Sequence, residues 1–198
     1  MDQRSQNAVS PLGWVLFFGT AAIGVALDLW TKALAVAHLK LAEPVRLIPN
    51  WLHFTYTENQ GAVFGLGQGQ RWLFIAVSIG AIAFLIYLLA LSGAKRFYQV
   101  LLGMLVAGVI GNMYDRVVYG HVRDMIHALP GIYWPDWIAR MLPANLANAS
   151  VFPWIFNVAD SLLCVGVFLI VVYSLVHQPQ EEPKAQQFKP QVDTQGGK

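Results

Sequence analysis

The stretch WLFIAVSIGAIAFLIYLLAL, residues 72–91, contains no charged side chain, and it decides what kind of protein this is. A bilayer core about 30 Å thick needs roughly 20 apolar residues in a helix, and this segment supplies them. Three further stretches match it. Residues 12–37 are apolar until Asp28, residues 100–119 are Gly-rich and apolar until Asn112, and residues 152–176 open on polar residues and close on an unbroken apolar run. The expected fold is an all-α membrane protein of four transmembrane helices, forming one domain over residues 1–177 with a small surface β-sheet and an interfacial segment. A disordered tail is expected over residues 178–198, which are rich in Gln, Pro and Lys.

Composition agrees with a membrane protein. Hydrophobic residues make up 56% of the chain and charged residues 12%, about half the share of an average soluble domain. A net charge of +2 gives no sign of nucleic acid as a partner. Cys164 is alone, which excludes an intramolecular disulfide. The first apolar stretch is too long for a cleavable signal peptide and has no small-residue cleavage pattern behind it, so it reads as a retained span.

The connections carry their own signals. In residues 42–70, too polar to span, the run from Trp51 to Thr57 places Leu52, Phe54 and Tyr56 on one face of a strand. Glu43-Pro44 and Ile48-Pro49-Asn50 punctuate it, and Gly61, Gly65, Gly67 and Gly69 follow. Residues 121–150 hold Tyr133, Trp134 and Trp137, as expected at a membrane interface, with a short interfacial helix over residues 137–142. Basic residues are almost balanced between the two sides, with Arg4, Lys95, Arg96, Lys184 and Lys189 against Lys40, Arg46, Arg71, Arg123 and Arg140. The charge count therefore leaves the orientation open.

The polar residues of the spans share one depth. Asp28 and Lys32 lie late in the first span, Glu58 and Asn59 just before the second, Asn112, Asp115 and Arg116 late in the third, and Asn157 and Asp160 early in the fourth. With alternating crossings all of them meet one membrane face, and the opposite ends hold nothing comparable. Spacings of three and four residues put Asp28 with Lys32, Asn112 with Asp115 and Arg116, and Asn157 with Asp160. Ionisable groups in spans cost an estimated 2.5 kcal/mol or more at the bilayer centre and mark functional interiors. Asp28–Lys32 and Asp115–Arg116 also read as neutralised pairs that hold helices together. Asp160 has no cation within a turn, and Arg123 beside Asp124 points another way on a helix or strand.

Two carboxyl groups held close together cannot both ionise easily, and one keeps a proton. The ionised member takes a proton from water while the other donates to a scissile carbonyl, which is aspartic-protease chemistry without metal or cofactor. Other chemistries fit less well. His121, Asp124 and His127 would diverge on a helix, and their plain reading is interfacial polarity. Ser161 lacks a base, and Cys164 reads as a small core residue. The glycines from Gly61 to Gly69 lack the Lys-Ser/Thr of a phosphate loop. Gly103, Ala107, Gly108 and Gly111 suit close helix packing.

Five motifs in order resemble the lipoprotein signal peptidase (signal peptidase II) family: Asp28-Leu-Trp-Thr31-Lys32, Asn59-Gln-Gly61-Ala62-Val-Phe64, Gly111-Asn112-Met-Tyr-Asp115-Arg116, Val122-Arg-Asp124 and Phe156-Asn157-Val-Ala159-Asp160. They cover residues 12–176. The resemblance implies a multi-pass bacterial inner-membrane aspartic endopeptidase with cytoplasmic termini and a periplasmic sheet and active site. Its partners would be prolipoproteins carrying diacylglyceryl-cysteine, cut just before that cysteine, together with membrane lipids; no nucleic acid, cofactor or metal is expected, and a monomer is. By carry-over, Asp124 and Asp160 form the catalytic dyad. Asn59, Gly61, Asn112, Arg116 and Asn157 shape the pocket and Asp28 and Lys32 support it; Asp115 is the alternative to Asp124 in the dyad, and its neighbour Arg116 favours a structural place. The chain departs from the family in having Arg123 and Met125 around Asp124, where Val and Phe are usual, so a cation pointing inward would lower the dyad's apparent pKa. Residues 128–153 also form a long segment, read as an amphipathic lid. A small proton-coupled transporter and a silent scaffold are the competing readings. A transporter would place its charges nearer the midplane.

Overall fold

The computed structural model describes residues 8–61 and 67–177. Ala62, Val63, Phe64 and Gly65 of the expected motif and glycine run, and the tail expected to be disordered, lie outside the described residues. The elements in order are α1 (Pro11–Leu39), β1 (Val45–Ile48), β2 (Leu52–Asn59), α2 (Arg71–Ala90), α3 (Arg96–Val118), β3 (Val122–Ala128), α4 (Asp136–Ala139), α5 (Ala144–Ala147), β4 (Ile155–Phe156) and α6 (Val158–Val176). Among the described residues four helices, α1, α2, α3 and α6, are long and apolar enough to cross a membrane.

The third of these is the axis of the bundle. α3 packs against α1, α2 and α6, and its buried positions include Leu102, Leu105 and Val106, which meet Phe17 and Ala21 of α1 and Leu85 and Leu89 of α2. The outer helices turn large apolar side chains outward, among them Phe18, Ile23, Phe84 and Phe168. Lipid offers the same apolar surroundings as a core, so association rests on close van der Waals packing. Gly111 shows how close: a Cβ there would collide with the Asp28 carboxylate and lie 3.3 Å from the Ala159 Cβ. This glycine lets α3 approach both α1 and the start of α6.

Above one end of the bundle lies an antiparallel sheet in the order β1-β2-β3-β4. Thr57 pairs with Asp124 and Phe54 with Ile126, so β2 uses three steps where β3 uses two. This β-bulge sets Phe54 and Thr57 on the face of Ile126 and Asp124, and it ends the regular alternation expected through Tyr56. Beyond the bulge the end of β2 runs along the start of β3, with Asn59 opposite Val122.

The last apolar stretch becomes helical at Val158, six residues after the expected start at Phe152. Ile155 and Phe156 pair instead with His127 and Ile126. Asn157 then caps α6, its side chain accepting from the Asp160 N–H at 3.0 Å. The interfacial helix expected over 137–142 is shorter and earlier: a single turn, α4, is followed by a second, α5. The loop carrying them is closed at its neck by a bridge between Tyr133 and Ser150 and by the Val151 N–H donating to Ile132 at 2.7 Å.

The far end of the bundle is not free of buried polarity. Gln99 is fully buried there and donates to the Ser92 hydroxyl at 3.0 Å and to the Gly93 carbonyl at 2.8 Å, a single neutral amide compared with the ionisable cluster of the other end. Both partners lie in the tight turn joining α2 to α3, so the amide ties that turn to the helix it begins.

Candidate active site

Each polar residue singled out at the shared depth reaches the same end of the bundle. Asp124 sits in β3, 1% exposed, and Asp160 in the first turn of α6. Both line one cavity of about 850 Å³, with Asn59, Asn112 and Arg116. Three asparagines hold the carboxylates. Asn59 donates to Asp124 Oδ2 at 3.1 Å and Asn157 to Asp124 Oδ1 at 2.6 Å. Asn112 donates to Asp160 Oδ1 at 2.7 Å, and the backbone N–H of Asn157 reaches Asp160 Oδ2 at 3.2 Å.

Burial pushes the Asp124 carboxyl up to about 7, and the neighbouring Asp160 carboxylate adds to the rise. Hydrogen bonds from Asn59 and Asn157 and the more distant Lys32 oppose it. Desolvation and a like charge both disfavour ionisation of Asp124. The condition for a lowering by Arg123, a guanidinium pointing inward, is not met. That side chain turns away from the dyad to Asp115, and the carboxyl beside it is raised, not lowered.

Asp28 and Lys32 are both fully buried and 2.7 Å apart. Asp28 Oδ1 also accepts the Ala159 N–H at 2.9 Å, which anchors the N-terminus of α6 next to Asp160. Lys32 donates to Asn112 Oδ1 at 3.1 Å and lies 3.4 Å from Asp115. Asp115 does not pair with Arg116 as the sequence suggested. Adjacent residues on a helix face different ways, and Asp115 is instead gripped by Arg123, at 2.6 Å from Nη2 and 2.9 Å from the backbone N–H. Arg116 lies over the Phe74 ring at 4.9 Å and donates to the Gly61 carbonyl at 2.9 Å, while the Gly61 N–H donates to Asn59 Oδ1 at 2.9 Å. Gly61 thereby links Arg116 to the asparagine that holds Asp124.

Where the sequence considered a metal, the backbone separates the residues. His121 precedes β3 and lies 3.7 Å from Glu58, while Asp124 and His127 fall on opposite faces of the strand. Among the described residues no three His, Cys, Asp or Glu side chains gather closely enough to hold an ion.

The remaining walls of the cavity are apolar. Val77 and Ala81 of α2, Val109 of α3 and Leu163 and Cys164 of α6 form one side, and Phe152, Pro153 and Trp154 another. Cys164, expected in a core, is exposed and lines this space with Ser161. The signal was present, because Cys164 lies four residues from Asp160 and so shares its helix face. Phe152 stacks edge-on against Trp154 and Phe156 at 5.3 and 5.9 Å. Their apolar character suits a span, and only the pairing of β4 with β3 brings them to the two carboxylates.

The family model described as signal peptidase (SPase) II matches residues 20–176. This chain belongs to the signal peptidase II family. A lipoprotein signal peptidase of Geobacillus thermodenitrificans is 38% identical over 160 residues, covering 80% of this chain and 89% of that one. Another from Chlorobium phaeobacteroides is 36% identical over 161 residues, covering 79% and 88%. A solved bacterial membrane enzyme superimposes with a TM-score of 0.67 at 27% identity, over 90% of this chain and 98% of that one. Four spans and this membership make the chain an integral membrane enzyme, and they do not favour the transporter reading.

Proposed function

We propose that the protein is an aspartic endopeptidase that removes the signal peptide from diacylglyceryl-modified bacterial prolipoproteins, cutting just before the lipidated cysteine. The observation that carries this reading is the meeting of Asp124 and Asp160 in one cavity, each held by asparagine N–H groups, at a single end of a four-span bundle. One carboxylate takes a proton from a water molecule as that water attacks the scissile carbonyl. The protonated member of the dyad gives its proton to the carbonyl oxygen. As the C–N bond breaks, a proton passes to the departing amine, and the dyad returns to its singly protonated state.

The surroundings suit such a substrate. The apolar wall formed by Val77, Ala81, Val109 and Leu163 matches a signal helix and acyl chains arriving from the bilayer. The polar rim of Thr57, Asn59, Gln60 and Arg116 faces the segment that leaves it. Arg116 has donors to spare for substrate carbonyls. In this reading the site faces the periplasm, the termini lie in the cytoplasm, the enzyme works in the inner membrane as a monomer, and the loop over 128–153 is a lid beside the dyad.

The test is product analysis with lipidated and unlipidated forms of one prolipoprotein. Mass spectrometry should place the new N-terminus at the diacylglyceryl-cysteine and find the unlipidated form uncut. Equal cleavage of both forms contradicts lipid recognition, and a cut elsewhere contradicts the proposed bond.

A further inference from the structure

Arg123 lies beside Asp124 in β3, and its contacts run away from the dyad to Asp115. It donates to Asp115 from Nη2 at 2.6 Å, from Nε at 3.1 and 3.2 Å, and from its backbone N–H at 2.9 Å, while its guanidinium lies over the Tyr119 ring at 4.3 Å. Asp115 in turn lies 3.4 Å from Lys32, which pairs with Asp28 at 2.7 Å. Asp28, Lys32 and Asp115 have no exposed surface and Arg123 is 6% exposed. Two cations and two anions thus form a buried quartet that is neutral as a whole, the condition under which buried charges are tolerated.

Besides the Asp28–Ala159 bond at the start of α6, the quartet reaches the dyad through Asn112. Lys32 donates to Asn112 Oδ1 at 3.1 Å, and Asn157 donates to the same oxygen at 3.1 Å. With its oxygen held by two donors, the Asn112 amide must present its NH₂ on the other side, where it meets Asp160 at 2.7 Å. Removing Arg123 leaves two buried carboxylates to one lysine. The ammonium is then drawn the short way to Asp115 and off Asn112, because an uncompensated buried charge is the costlier vacancy. Asn112 loses the restraint that aims its N–H at Asp160.

We infer that Arg123 is a positioning residue, acting through Asp115 and Lys32 to hold the Asn112 amide against the catalytic Asp160. It touches neither substrate nor the reacting carboxyl groups. The catalytic part of this inference rests on the peptidase reading; the placement of the Asn112 amide does not.

The test compares the wild type with Arg123→Lys, Arg123→Gln and the double variant Asp115→Asn/Arg123→Gln, with Asn112→Asp used to assign the Asn112 side-chain amide by ¹⁵N NMR. Arg123→Gln should lose kcat on the order of tenfold or more at unchanged KM, as misplacement remote from the chemistry does, and the Asn112 resonance should move. Arg123→Lys should keep most of the activity. The double variant has no unpaired carboxylate and should recover both kcat and the wild-type resonance. An Arg123→Gln protein with wild-type kcat, or with lowered kcat and an unmoved Asn112 resonance, overturns the inference. If that variant does not fold, the double variant decides: recovery supports the relay, and a folded protein without kcat overturns it. Failure of the peptidase reading shows separately, as wild type that does not cleave, and the Asn112 resonance then judges the relay.

Discussion

The side-chain amide of Asn157 lies 2.6 Å from Asp124 while its own carbonyl oxygen caps α6 by accepting the Asp160 N–H at 3.0 Å. One asparagine therefore fixes both members of the dyad, one through a donor and one through an acceptor. Leucine at this position fills a similar volume and supplies neither. Asn157→Leu should lower kcat by about a hundredfold, as loss of one preorganised donor does, and cost about 1 kcal/mol from the lost helix cap. Steady-state kinetics beside thermal unfolding check the two effects separately.

Gly111 makes a prediction about packing. Its substitution by alanine pushes a methyl group into the Asp28 carboxylate, and should destabilise the protein by about 1–3 kcal/mol, the usual cost of overpacking. Gly80→Ala, where a Cβ would meet nothing within 4 Å, is the control and should leave the unfolding temperature in detergent unchanged. Equal Tm values for the two variants contradict the close approach of α3 to α1.

The dyad should also show itself by titration. The Asp124 carboxyl, raised to about 7 by burial and by Asp160, should titrate near neutrality by ¹³C NMR. Because the second cause is a like charge, Asp160→Asn removes an upward push, and the Asp124 midpoint should move down toward the ordinary carboxylate range without reaching it. With the proton held up to about pH 7, cleavage should decline as pH rises beyond that value in the wild type. An Asp124 midpoint that does not respond to Asp160→Asn contradicts the pairing.

The loop over 128–153 is closed at its base by the Tyr133–Ser150 bridge, and Phe152 and Trp154 beyond that base line the cavity. Deleting residues 133–150 should change which prolipoproteins are cut while four-span insertion is kept. A protease-protection pattern showing lost insertion contradicts a role confined to access.

Four spans and one polar end were legible because a charge-free run such as residues 72–91 has few alternatives, and because helical spacing brings Asp28 to Lys32 and Asn157 to Asp160. Pairings across elements were less legible. Arg123 meets Asp115 only because the chain turns at Gly120, where φ is +82°, so the ion pair spans eight residues that no helix or strand period connects. The short strand Ile155–Phe156 was hidden for another reason: two residues have no period of their own, and apolar neighbours on both sides let them pass for the start of a span. Long-range partners such as Asn112 and Lys32 were placed at one depth by sequence, but which oxygen receives which proton is set by side-chain rotamers that only packing determines.

The most direct test is cleavage of a diacylglyceryl-modified prolipoprotein by purified protein in detergent, with the wild type beside Asp124→Asn and Asp160→Asn. The account predicts that the wild type cuts and that both variants stay folded and lose cleavage. Cleavage by all three at equal rates contradicts the dyad, and no cleavage by any of them contradicts the peptidase reading itself.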